Sequence, residues 1–390
     1  MSRRLVVNGY SARWLRQGFA WVYPKEVASG KARPGQTVVL ADERGAVLGT
    51  GVADDGFVAV RRFRDDEGPL DRGWLFGVLD RAWAHREQVV DEATTGFRIV
   101  HGQNDGLPGI RLDVWAEWAT IVLDSESLTR FVDDIVTWLV ERRASVGVVC
   151  CYRADPRDAR RLPEPHVVFG EVPDSDVLVT ERGLAYRVRP TEGPDVGLYA
   201  DMREVRGWLE SHWTGMRVLN LFAYTAAFSV SAAVFGAART TSIDLSGPIL
   251  ARARDNFVIN GLDPEDHDFE AEDAFKALDR HRRKGNLFDR VIVDPPSFSR
   301  GKEGFSAKRD WPRLTAAATR VLEDGGWLIA ASNQGQTSPR AFETALFEGF
   351  KKARAHGQLI HVATQGPDFP AATWFPEGRY LKVRIYRVWR

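Results

Sequence analysis

A chain of 390 residues, 44% of them apolar, is too long for one ordinary core and predicts two or three domains at roughly 150 residues each. Its 53 basic residues balance 53 acidic ones, and zero net charge leaves nucleic acid open, because binding needs only a local patch. No apolar run approaches the roughly 20 residues of a membrane span, and the start, Met1 to Asn8, lacks the long apolar segment of a secretory signal. The two adjacent cysteines, Cys150 and Cys151, suit neither a mutual disulfide nor a zinc site and read as small strand residues. A cytoplasmic protein with no metal and no membrane partner is expected.

Three blocks follow in chain order. Residues 1–72 read as short strands (Leu5–Asn8, Thr37–Leu40, Ala46–Val52, Phe57–Arg62) separated by turns such as Arg33-Pro34-Gly35-Gln36 and Asp54-Asp55-Gly56, a small β-barrel pattern. Tyr10 to Arg16 adds one or two helical turns. Residues 73–190 open with a helix marked by Trp74, Leu75, Val78, Leu79 and Ala82 at helical spacing. Strands at Phe97–His101, Ile110–Val114 and Ala119–Leu123, a helix from about Leu128 to Arg142, and a tight turn at Gly106–Gly109 complete this central α+β block. Residues 191–390 alternate strand and helix patterns, which predicts an α/β, Rossmann-like parallel sheet covered on both faces. Its strands are Arg217–Phe222, Arg239–Ile243, Phe288–Val293, Gly326–Ala331, Leu359–Thr364 and Tyr380–Arg387.

The first of these strands runs straight into the small residues after Phe222, the turn where an open α/β sheet holds a nucleotide-like ligand. The second ends in Asp244, placed to accept two hydrogen bonds from a ribose diol. Ser246, Pro248 and Gly261 supply start and stop signals for the helix that follows. Asp273 falls where the next strand should end and can accept from an adenine amine. The first turn lacks G-x-G-x-x-G, which argues against a pyrophosphate-bearing cofactor. S-adenosylmethionine has no phosphate to cradle and fits better. Val291-Ile292-Val293-Asp294-Pro295-Pro296-Ser297-Phe298 then places a carboxylate and two rigid prolines at a strand's C-terminal end. Proline removes backbone donors and stiffens the loop, and Phe298 offers a stacking face to a flipped base.

With these motifs in place, the chain resembles the bacterial large-subunit ribosomal RNA methyltransferases that carry an N-terminal PUA domain, a central β-rich domain and a C-terminal class I methyltransferase domain. The likeness spans essentially the whole chain. It rests on Phe19-Ala20-Trp21-Val22-Tyr23, Asp105-Gly106-Leu107-Pro108-Gly109-Ile110, Gly197-Leu198-Tyr199-Ala200-Asp201-Met202-Arg203, Asn220 to Thr225, Asp294 to Phe298 and Phe375 to Lys382. The resemblance implies S-adenosylmethionine as cofactor, surrounded by Asp201, Asn220, Phe222, Tyr224, Thr225, Asp244, Asp273 and Asp294. It implies 23S rRNA or a large-subunit precursor as partner, and it leaves a homodimer open. Two departures touch the cofactor turn: the family usually has glycines where this chain has Ala226 and Ala227, and a glutamine at Met202.

A third departure bears on the chemistry. The best-known members make 5-methylcytosine through a cysteine in the loop after the fifth strand, because carbon 5 of cytosine needs covalent activation. Here that loop reads Ala330-Ala331-Ser332-Asn333-Gln334-Gly335, with Asn333 at the cysteine position. Ser332-Asn333 beside Asp294-Pro295-Pro296-Ser297 instead resembles the enzymes that make 7-methylguanine in 23S rRNA. Guanine N7 has an available lone pair, so catalysis reduces to orientation. Asp294, Pro295, Pro296, Phe298 and Asn333 are the expected catalytic set: Asn333 bonds the guanine edge and Asp294 accepts from its N1 or N2 hydrogens. Arg3, Arg4, Arg13, Arg16, Lys25, Lys31 and Arg33 form a basic cluster suited to phosphates, and Lys302, Lys308 and Arg309 suit the same task unless they are solvated. The rival readings are a 5-methylcytosine enzyme, a small-molecule or protein methyltransferase, and a non-catalytic ribosome assembly factor.

Overall fold

The computed structural model describes residues 3–153, 162–171, 173, 176–296 and 307–390. The chain divides into two compact units: one comprises Met1–Thr180, Val188–Val196 and Pro367–Gly378, the other Glu181–Arg187, Gly197–Gly366 and Arg379–Arg390.

The first unit opens with a six-stranded sheet in the order Trp21–Val22, Val60–Arg64, Val47–Ala53, Thr37–Ala41, Arg3–Val7, Val27–Ser29. Its core is Leu5, Val7, Val38, Leu40, Leu48 and Val60, the inward residues of the alternating strands, with Ala12 and Leu15 from the helix Gly9–Arg16. Gly49 and Gly51 allow the last long strand to come close, since a Cβ at either would meet Arg64 O at 2.0 Å or Arg61 O at 2.5 Å. That strand begins at Val60 and not at Phe57, because Asp54 N bonds Ala59 O at 2.8 Å and closes a turn over the intervening residues.

A second, five-stranded sheet runs His166–Phe169, Gly147–Tyr152, Trp118–Leu123, Ile110–Trp115, Gly96–His101. The helices Arg72–Val89 and Val132–Arg143 cover it and bury Leu75, Val78, Leu79, Ile135, Trp138 and Leu139. Asp105 explains the motif Asp105–Ile110: its carboxylate takes both terminal nitrogens of the fully buried Arg86 at 2.7 Å and the amide of His101 at 2.6 Å. Gly106 and Gly109 then turn the chain with φ of +83° and +87°.

The second unit holds a seven-stranded sheet. Within it we number β1 (Arg217–Leu221), β2 (Arg239–Asp244), β3 (Asp268–Ala271), β4 (Phe288–Val293), β5 (Leu322–Ser332), β6 (His356–Ala363) and β7 (Lys382–Trp389), and their order is β3-β2-β1-β4-β5-β7-β6. β1 to β5 pair in parallel, while β7 runs antiparallel to both β5 and β6. Buried helix faces cover both sides of the sheet, as a parallel sheet of near-continuous apolar strands requires. The sequence signals place the helix after β2 well. Ser246 caps Gly247–Ile259 by accepting from Ile249 N, and Gly261 turns left-handed with φ +74°.

Candidate active site

Parallel strands share one C-terminal edge, and β1, lying between β2 and β4, is the switch point where a doubly wound sheet opens a crevice. The sequence-predicted residues of β1, β2 and β4 reach this edge. At the end of β1, Phe222, Tyr224 and Ala226 all have positive φ (+59°, +51° and +62°). A left-handed conformation costs an L-residue roughly 1–2 kcal/mol, so the surroundings must hold the turn. Ala223 N donates to Ile243 O at 2.9 Å, Tyr224 N donates to Asp244 Oδ2 at 2.9 Å, and Asn256 Nδ2 donates to Thr225 O at 3.1 Å. The Thr225 hydroxyl donates to Gly197 O. Ala226, where the resembling family has glycine, is one of the left-handed positions.

Asp244 is oriented by its own backbone neighbours: Oδ1 accepts from Ser246 N at 3.0 Å while Oδ2 holds Tyr224 N. A carboxylate has about four acceptor sites, so each oxygen keeps a lone pair for one hydroxyl of a ribose diol. Asp273 stands two residues beyond β3 and caps the helix Ala274–Lys284, with Oδ1 accepting from Phe275 N and Lys276 N at 3.0 and 3.1 Å. Asn220 is buried beneath the turn, where its amide donates to Ser229 Oγ at 3.0 Å and Ser242 donates to the same oxygen at 2.8 Å.

Asp201 sits in the single turn Ala200–Met202 and accepts from the Tyr380 hydroxyl at 2.6 Å. Two positions away, Tyr199 lies 5.2 Å ring to ring from Tyr224. Its carbonyl accepts from Arg206, whose guanidinium also clamps the buried Glu181 carboxylate with two bonds of 2.6 Å. Asp294, at the end of β4, keeps part of its surface open. Burial of its carboxyl, and then the negative charge of Asp201, nevertheless push its pKa up to about 7, against the opposing pull of Arg206. Pro295 is buried and Pro296 exposed. Ser297, Phe298 and Lys302 lie outside the described residues, and Arg309 pairs with Asp310.

Asn333 is exposed just past β5. Lys382 fixes its loop by donating to Gln334 O at 2.9 Å and to Tyr380 O at 2.6 Å. Burial, with the charge of Arg384 second, lowers the Lys382 pKa to about 8. Tyr380 and Lys382 therefore link the Asp201 side of the site to the Asn333 loop. The sequence assigned neither residue a role, and Tyr199, Arg206 and Glu181 also went unread. Their only signal was that Tyr199, Tyr380 and Lys382 lie inside the quoted motif stretches. Among the described residues no group of three or more His, Cys, Asp or Glu is placed to hold a metal, and no helix is long and apolar enough to cross a membrane.

A doubly wound sheet with a strained, small-residue turn after β1 and acids after β2, β3 and β4 defines a nucleoside-cofactor enzyme. Residues 158–374 match the family model for S-adenosylmethionine-dependent methyltransferases, and residues 5–64 match that for the PUA-like domain. The chain belongs to the S-adenosylmethionine-dependent methyltransferase family, and S-adenosylmethionine is its cofactor. More particularly, it is similar over its full length to Ribosomal RNA large subunit methyltransferase I of Shewanella denitrificans, at 30% identity with 100% of both chains covered. The protein of that name from Shewanella amazonensis is 31% identical, again with 100% of both chains covered. The crystal structure of SMU.776 complexed with SAH superposes with a TM-score of 0.89 at 25% identity, covering 99% of this chain and 100% of that one. The fold is thus a class I methyltransferase sheet preceded by a PUA-type barrel and a central α+β part.

Proposed function

We propose that this enzyme methylates a guanine of 23S rRNA, or of a large-subunit precursor, at N7. The full-length likeness to large-subunit rRNA methyltransferases supports the RNA class, and Asn333 is the observation that carries the choice of guanine. Methylation at carbon 5 of cytosine needs a thiolate, and the loop after β5 offers an exposed amide in its place. Both cysteines belong to the strand Gly147–Tyr152 of the first unit, where burial pushes their pKa values up to about 11 and about 12, so neither ionises near neutrality.

When bound, the cofactor supplies a methyl group on a positively charged sulfonium. Asp244 holds the ribose hydroxyls, Asp273 offers its second oxygen to the adenine amine, and the Phe222–Ala226 turn lets the backbone approach. Asn333 and Asp294 orient the guanine: the amide bonds the edge beside N7, and the carboxylate accepts from N1 or N2. N7 would take the methyl through its own lone pair while the carbon–sulfur bond breaks and its electron pair stays on sulfur; no proton leaves the base, so no general base is needed and orientation carries the rate. Residues 1–72 act as the module that grips structured RNA. Arg13 stands exposed there with Tyr10 and Trp14 on the helix Gly9–Arg16, whereas Arg4 and Arg16 pair with Glu67 and Asp42. Mapping modified nucleosides in 23S RNA with and without the gene tests the reading. Loss of one 7-methylguanine is expected, and loss of a 5-methylcytosine would overturn it.

A further inference from the structure

One register row crosses four strands of the second unit: Arg290 on β4, Trp327 on β5, Arg387 on β7 and Gln358 on β6. Adjacent strands lie about 4.8 Å apart, so the two arginine backbones stand about 10 Å apart on either side of an indole. The Arg290 guanidinium lies over the Trp327 ring, 4.1 Å from its centroid. With Trp208, His212, Gly325 and Ile360 this row encloses an open groove of about 480 Å³. Trp327 precedes Ser332 by five positions on β5, which separates the groove from the strand-end edge by about 17 Å.

Two arginines line the groove. No carboxylate lines it, and the acids beside it in sequence are used elsewhere: Asp289 and Glu323 hold Arg217 at 3.3 and 2.6 Å, while Asp324 accepts from Arg390 N at 2.9 Å. Among the described residues neither Arg290 nor Arg387 forms an ion pair. The buried Nε of Arg290 has no hydrogen-bond partner, while its Nη1 donates to Asp289 O at 2.9 Å. Burial, opposed by the nearby charge of Asp289 and reinforced more weakly by Arg387, leaves the Arg290 guanidinium less favourably charged than usual. Cation–π stacking explains Arg290 on Trp327. Arg387 stacks likewise over Trp389, 5.0 Å from its centroid, but stacking neutralises neither cation, and no acid stands between the two in the row.

We propose that this groove is a phosphate site in which Arg290 and Arg387 hold one backbone phosphate of the RNA substrate, a few nucleotides from the methylated base. The inference rests on the RNA reading above. Its test uses the full chain, a 23S rRNA fragment that the wild-type enzyme methylates, and the variants Arg387→Gln and Arg290→Met, the second retaining a hydrophobic stem on Trp327. Affinity for the fragment is measured across a range of KCl, with SAH affinity as a control for folding. Each variant should bind RNA roughly 3–10-fold more weakly and lower the slope of log K against log salt, and the double variant should lower it by about 0.7, the effect of one lost phosphate contact on a single strand. SAH affinity should not change. Wild-type RNA affinity and slope in Arg387→Gln would overturn the proposal, even if inorganic phosphate still broadens its own ³¹P resonance on wild-type protein and not on the variant, because the groove would then take a free anion. Failure of the RNA reading itself has a separate signature, a wild-type chain that methylates no 23S fragment.

Discussion

Asp294→Asn should stabilise the enzyme at alkaline pH and do so progressively less as pH falls. In the folded chain the Asp294 carboxyl holds its proton up to a pKa of about 7, against an ordinary value of 3.8. A raised folded pKa means that the native state binds more protons than the unfolded chain between those values. The group's contribution is therefore fully present below about pH 3.8 and is lost as pH rises through about 7. At pH 8 a carboxyl displaced that far costs at most about 4 kcal/mol, and roughly 2 kcal/mol once partial access to water is allowed. Asparagine has nearly the same shape and cannot ionise. The stability difference between variant and wild type should grow by roughly 1–3 kcal/mol between about pH 5 and pH 8. Urea unfolding of the cofactor-free proteins, followed by circular dichroism at several pH values, measures it, and titrations common to both proteins cancel. Removing the second cause, by Asp201→Asn, should move the wild-type inflection to lower pH. Parallel stability curves for wild type and Asp294→Asn would refute the reasoning, since the carboxylate would then carry no penalty in the folded state.

The same titration predicts that methyl transfer to rRNA rises through an apparent pKa near 7, because Asp294 must be ionised to accept from guanine N1 or N2; a flat profile of kcat/KM from about pH 6 to 8 would remove that role. Asp244→Ala should weaken SAH binding by roughly 10–100-fold, the loss of two charge-assisted bonds, and calorimetry with an unchanged Kd would exclude Asp244 from the ribose contact. Lys382→Met should lower kcat several-fold more than it weakens SAH binding, because it frees the Asn333 loop directly and reaches the Asp201 side only through Tyr380; steady-state kinetics beside SAH calorimetry compare the two. Glu181→Leu should cost about 3–5 kcal/mol by leaving Arg206 buried without its counter-charge. The double variant Glu181→Leu with Arg206→Met should recover most of that in chemical unfolding.

The elements around the C-terminal edge of the sheet were legible because their signals are local. Asp244 closes a buried strand and precedes a Ser246 cap and Pro248, and a one-residue error would have spoiled all three cues together. Asp273 falls just past β3, as expected, although its capping of the next helix was not foreseen. Asn220 illustrates the limit: an asparagine in an apolar strand can face the cleft or the core, and only the packing of Ser229 and Ser242 puts its amide beneath the turn. Tyr380 and Asp201 lie 179 positions apart, and no periodicity pairs residues at that distance. The unusual proton affinity of Asp294 and the Arg290–Trp327–Arg387 row likewise depend on strand register, which alternation alone leaves undetermined.

The turn after β1 shows how cofactor binding and local strain are joined in this enzyme. Three left-handed residues within five positions cost together roughly 3–6 kcal/mol, and a chain free to relax would not keep them. Asp244 is one of the groups that prevents relaxation, because the oxygen that accepts from Tyr224 N is on the carboxylate to which we assign the ribose. A bound diol that fixes Asp244 also fixes the turn, and a formed turn presents Asp244 already oriented. The absence of glycine at Ala226 then has a physical meaning. Glycine would reach the left-handed conformation easily and many others as well, whereas alanine reaches it only when its neighbours enforce it. The site consequently does by packing and by one shared carboxylate what a glycine-rich loop does by conformational freedom, and damage to Asp244 should be felt in the geometry of the whole turn as well as in two lost hydrogen bonds.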